Sequence, residues 1–137
     1  MKWLEKYSDH AYALLRIVSG WMFSFHGAQI ILRVYAEGYP PAPVGSQTWF
    51  GGMIELFGGL AVMLGLQTRF AAFLCSGTMA VAYFQFHAPS NFWPTINMGI
   101  PAIMYCFLYL YLAAAGAGPW SVDALLDKSS KPVEVAS

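Results

Sequence analysis

Four apolar runs, at about residues 11–33, 50–66, 69–87 and 98–116, leave few architectures open to this chain. Each approaches the roughly 20 residues that an α-helix needs to cross about 30 Å of hydrocarbon. Prolines and glycines break helix between the first and second runs, in VYAEGYPPAPVGSQT (34–48), and between the third and fourth, in HAPSNFWPTIN (87–97). Gln67-Thr68 makes a tight link between the second and third. The pattern predicts a single all-α domain over residues 1–137, an integral membrane four-helix bundle. A short capped surface helix is expected at about 121–126, after Gly116-Ala117-Gly118-Pro119.

Composition agrees with a non-aqueous solvent. Hydrophobic residues make up 58% of the chain and charged residues 10%, against roughly 25% charged in an ordinary soluble domain. A soluble bundle with a fully buried core is the weaker alternative. The net charge is zero, and the scattered basic residues form no patch for nucleic acid. An even number of spans puts both termini on one side. Lys2, Lys6, Arg69, Lys128 and Lys131 share that side and only Arg33 faces the other, so both termini are expected in the cytoplasm. Trp49, Trp93 and Trp120 fall at span ends, where an aromatic belt sits. The amino terminus shows no cleavage site, and the first run is expected to stay as an anchor. Cys75 and Cys106 lie in apolar runs without CxxC spacing and are expected as free, buried thiols.

Polar residues inside these runs gather at one depth. His26 lies about two turns below the outer end of the first span, and Glu55 at similar depth in the second. His87 closes the third span and Asn97 opens the fourth. Ser19, Met22, His26, Gln29 and Arg33 share one helical face. Gly51, Gly52, Gly58 and Gly59 surround Glu55, so a neighbouring helix is expected against it. His26, Gln29, Glu55, His87 and Asn97 then form an outer polar layer. The layer reads as a hydrogen-bonded clasp between helices or as a ligand or redox site. Metal binding is a poorer fit, since no HxxxH-type spacing occurs. Arg16 is too deep to pair with Glu55 and is expected to snorkel toward the headgroups.

The stretches LLRIVSGWMFSFHGAQ, FGGMIELFGGLAVMLGLQTRFAA, MAVAYFQFHAPSNFWPTIN and YCFLYLYLAAAGAGPWSVDAL together resemble the DoxX family of small four-span membrane proteins. That resemblance implies a prokaryotic plasma membrane and links to quinone-coupled electron transfer. Where relatives commonly carry a lysine and a glutamate, this chain has Ile30 and Ile100. Replacing both halves of a buried ion pair with apolar residues is tolerated, so these two positions are expected to touch. An active site relying on that pair would be impaired. The first functional reading is therefore an accessory subunit or assembly factor of a larger electron-transfer complex, held by other membrane subunits or by copies of itself. The alternative is a quinone-binding oxidoreductase component. In it His26 and Glu55 would be the catalytic pair, and Gln29, Tyr83, His87, Trp93 and Asn97 would complete the ligand site, with Phe84 as a further aromatic wall. The chain has no flavin or nucleotide fingerprint, and quinone is the one cofactor entertained.

Overall fold

In the computed structural model the described residues are 1–38 and 40–130, and their secondary structure is helical throughout. Element α1 is a single turn, Lys2–Glu5, followed by α2 (Ser8–Ile31), α3 (Gln47–Leu64) and α4 (Thr68–Ala82). The chain then passes into a π turn (Tyr83–His87), α5 (Ile100–Ala115) and α6 (Val122–Ser130). The four long helices lie over the four apolar runs. Lys131, one of the basic residues used to orient the termini, lies outside the described residues.

Local chemistry sets the ends. Ser46 caps α3, its hydroxyl accepting from the Trp49 N–H at 3.2 Å. Gly65 ends α3 in the left-handed conformation at φ 68°, which glycine adopts without a Cβ penalty. Pro101 stands in the first turn of α5, where its missing N–H costs nothing. Ser121 caps α6 by accepting from the Ala124 N–H at 3.2 Å.

Small residues bring α2 and α3 together. A Cβ added to Gly20 would meet the Met63 nitrogen at 2.5 Å, and one on Gly59 would meet the Ser24 nitrogen at 2.6 Å. One on Gly27 would sit 2.7 Å from the Leu56 Cα. Backbones this close gain dispersion contacts along their length. Gly52 faces Ile30, whereas Gly58 faces Cys75 on α4. The glycines around Glu55 thus serve two neighbours. The interior joins Phe23 of α2, Val62 of α3, Cys75 and Met79 of α4, and Tyr109 and Leu112 of α5. Tyr109 is fully buried and its hydroxyl donates to the Ser19 carbonyl at 2.9 Å, tying α5 to α2.

Among the described residues, no helix is long and apolar enough to cross a membrane. The causes are local: α4 and α5 have 15 and 16 residues, while the longer α2 carries Arg16, His26 and Gln29 and α3 carries Gln47 and Glu55.

Candidate functional site

The interhelical polar pair is His26 of α2 with Glu55 of α3, the imidazole Nδ1 lying 2.5 Å from Oε2. Close approach of α2 to α3 at Gly27 and Gly59 places these two side chains within reach. Glu55 is buried, at 5% exposure, whereas the His26 side chain is 46% exposed. A carboxylate is thus held behind an imidazole that reaches the bundle's surface. Such a pair can fix the tautomer and orientation of the ring.

The other predicted residues assemble elsewhere. Tyr83 is buried on the π turn, and its hydroxyl donates to the Phe92 carbonyl. The His87 Nδ1 lies 3.0 Å from the Asn97 carbonyl oxygen. The Asn97 amide donates to the Asn91 carbonyl at 2.7 Å, and its Oδ1 accepts from the Gly99 N–H at 2.7 Å. Tyr83, His87 and Asn97 are therefore brought together as the frame of the 88–99 loop. Gln29 donates to the Tyr35 carbonyl at 3.2 Å and ties down the first loop. Trp93 is 63% exposed with its ring against Phe92, and Phe84 points outward at 64% exposure, so neither walls a closed pocket. Ile30 packs on α3 at Gly52 and Ile100 is 46% exposed. Both cysteines are free, Cys75 buried and Cys106 partly so. Among the described residues, no three His, Cys, Asp or Glu side chains converge as a metal site would require.

Arg16 does not snorkel. It is fully buried, and its guanidinium donates to five carbonyls. Nη1 reaches Val62 at 2.9 Å and Met63 at 2.6 Å, carbonyls of the last turn of α3, of which Val62 also accepts from the Gly65 N–H at 3.1 Å. Nε reaches Ala117 at 2.8 Å, and Nη2 reaches Pro119 at 3.2 Å and Trp120 at 2.7 Å. The fork geometry suits this role, because five fixed donors match several convergent acceptors. Arg69 does the same at the end of α5, where it donates to the Ala113 carbonyl at 3.0 Å and to that of Ala114. Tyr12 adds a bond to the Gly116 carbonyl at 2.5 Å. This belt of caps closes the end of the bundle opposite the His26–Glu55 pair. The sequence gives no direct sign of it, since the partners of Arg16 are main-chain atoms up to 104 positions away.

A sequence model of the DoxX family matches residues 11–88. An uncharacterized protein of Haemophilus influenzae is 38% identical over 130 residues, covering 88% of this chain and 93% of the relative. The inner membrane protein YqjF of Escherichia coli is 36% identical over 78 residues, covering 56% of this chain and 58% of that protein. No solved structure matches the chain.

Proposed function

The chain belongs to the DoxX family, and on that footing we propose a multi-pass protein of the prokaryotic inner membrane, acting as an accessory subunit or assembly factor of a larger electron-transfer complex. One observation carries the membrane reading. The outward faces of all four long helices are apolar, with Trp21, Phe25, Phe57, Phe73, Met104 and Phe107 between 40% and 65% exposed. Water-soluble monomers rarely expose contiguous apolar patches beyond a few hundred Å². Hydrocarbon solvates such a surface. The 15 residues of α4 and the 5 of the π turn follow without a break, giving a rod of about 30 Å. Lys2, Lys6, Arg69 and Lys128 lie at the capped end and Arg33 at the other, which supports cytoplasmic termini.

The accessory reading follows from how the polar groups are used. Tyr83, His87 and Asn97 are engaged in holding a loop, and the glutamate and imidazole hold α2 to α3. The two positions where relatives commonly carry a lysine and a glutamate are Ile30 and Ile100 here. The quinone reading keeps one supporting observation, the half-exposed His26 imidazole with Glu55 at 2.5 Å behind it. Purification from native membranes in mild detergent, with absorption spectra and mass spectrometry, separates the two. Stoichiometric partner polypeptides without bound quinone support the accessory role. A chain that purifies alone with one quinone per polypeptide overturns it.

A further inference from the structure

Resting on the membrane reading above, we infer that the loop of residues 88–99 is an interfacial wedge, seated in the boundary between lipid headgroups and acyl chains of the outer leaflet. The loop presents Phe92, Trp93, Ile96 and Met98 outward, at 63%, 63%, 64% and 82% exposure. These four side chains are displayed by a framework and do not dangle. The Tyr83 hydroxyl holds the Phe92 carbonyl, the Asn97 amide holds that of Asn91, and the imidazole of His87 meets that of Asn97. Met98 adopts φ 58°, a left-handed backbone uncommon for a residue with a side chain. The bond from the Gly99 N–H to the Asn97 Oδ1, at 2.7 Å, braces that turn.

Two features favour lipid over a protein partner. No Asp, Glu, Lys or Arg occurs between Arg69 and Asp123, whereas the other loop at this end carries Arg33 and Glu37. An uncharged loop with Trp and Phe at its tip has the composition of a membrane interface. Several of the loop's backbone donors are also spent internally. The Ala88 N–H bonds to the Tyr83 carbonyl, that of Ser90 to His87, those of Ile96 and Asn97 to Trp93, and that of Trp93 to the Asn91 Oδ1, while Pro89 and Pro94 have none. Each donor satisfied in this way lowers the cost of leaving bulk water.

The test compares two single-cysteine additions to the full chain reconstituted in pure phosphatidylcholine vesicles, with labelling of the parent subtracted. Ile96→Cys reports the wedge. Val44→Cys, at an 85% exposed position in the other loop, reports an aqueous site at the same end of the bundle. A membrane-impermeant maleimide should label position 96 at least about tenfold more slowly than position 44. Equal rates in vesicles overturn the inference. Equal rates in vesicles with slow labelling of position 96 only in native membranes also overturn it, in favour of a protein partner. Should Ile96→Cys fail to fold, Phe92→Cys gives the same comparison. Flotation of the parent with the vesicles is scored separately: a protein that does not float refutes the membrane reading itself, whereas floating protein with equal rates refutes only the wedge.

Discussion

Asp123 grips Thr68 at two atoms, its Oδ2 accepting from the backbone N–H and from the side-chain hydroxyl at 2.9 Å each. Its Oδ1 accepts from the Gln67 N–H at 2.7 Å. Helix α4 begins at Thr68 behind Gln67, which sits at φ 48° and supplies no side-chain cap. The cap therefore comes from α6, 55 positions away. In return the Asp123 N–H donates to the Gly65 carbonyl at 2.8 Å, so α6 is bound to the link between α3 and α4.

That geometry predicts an acid-sensitive cap. Partial burial opposes the charge on Asp123, but the bonds from Thr68 and Gln67 outweigh it and hold the carboxyl below its ordinary value. The stabilisation is fully present above the unfolded value of about 4 and fades as pH falls through the lower folded value. Asp123→Ala should cost about 1 kcal/mol at pH 7, a modest figure because water reaches the group. The gap between parent and variant, followed by unfolding in detergent micelles, should narrow as pH falls below 4. A constant gap would mean that the carboxylate charge is not what holds α4.

The buried guanidinium should matter more. Arg16→Leu would take a donor from five carbonyls, among them that of Met63 at the end of α3. An unsatisfied buried polar group costs roughly 1–3 kcal/mol, so a loss of at least 3 kcal/mol or failure to accumulate is expected. Arg16→Lys keeps the charge but not the fork and should fall between. A lysine variant as stable as the parent would show that charge alone suffices at this position.

How much of this could be read from the chain depends on how local each cause is. Apolar runs and breakers act within a few residues, so the four long helices, the Ser121 cap and the approach of Glu55 to His26 follow from spacing and depth. Arg16 is not legible in this way, because depth alone shows the cost of a buried cation and not the acceptors that meet it. Those acceptors are main-chain oxygens of a segment whose path under the bundle no periodicity encodes. Gly20, Ser24 and Gly27 do carry a signal, small residues recurring on one face of α2, and the first two meet Gly59. The π turn at Tyr83–His87 has no such signature. It extends the rod of α4 and carries Tyr83 and His87 to the loop they hold.

Helix contact through glycine gives a prediction with an internal control. A side chain at Gly59 would run into the backbone of α2, with Ser24 Cα and the Gly20 carbonyl oxygen each 2.9 Å from the Cβ. Gly59→Leu should therefore destabilise the bundle by about 3 kcal/mol, since neither partner can yield. Gly77, on an exposed face of α4, has nothing within 4 Å of its Cβ. Gly77→Leu should be neutral or stabilising, by up to about 1 kcal/mol from helix propensity. Equal effects of the two substitutions in a thermal melt would remove close α2–α3 packing from the account.

The exposed half of the polar pair decides what His26 is for. In the accessory reading its work is to meet the buried Glu55 oxygen 2.5 Å away. An amide can donate the same bond, so His26→Gln should stay within about 1 kcal/mol of the parent and retain its co-purifying polypeptides in full. His26→Leu leaves the carboxylate without its partner and should cost about 3 kcal/mol. A proton-exchanging site behaves differently, because an amide does not titrate near neutral pH. There His26→Gln would fold and assemble normally yet lose quinone-dependent turnover. Parallel measurement of stability, partner yield and quinone reduction in the two variants resolves the roles. Loss of turnover alone in His26→Gln would transfer the pair from the bundle's clasp to its chemistry.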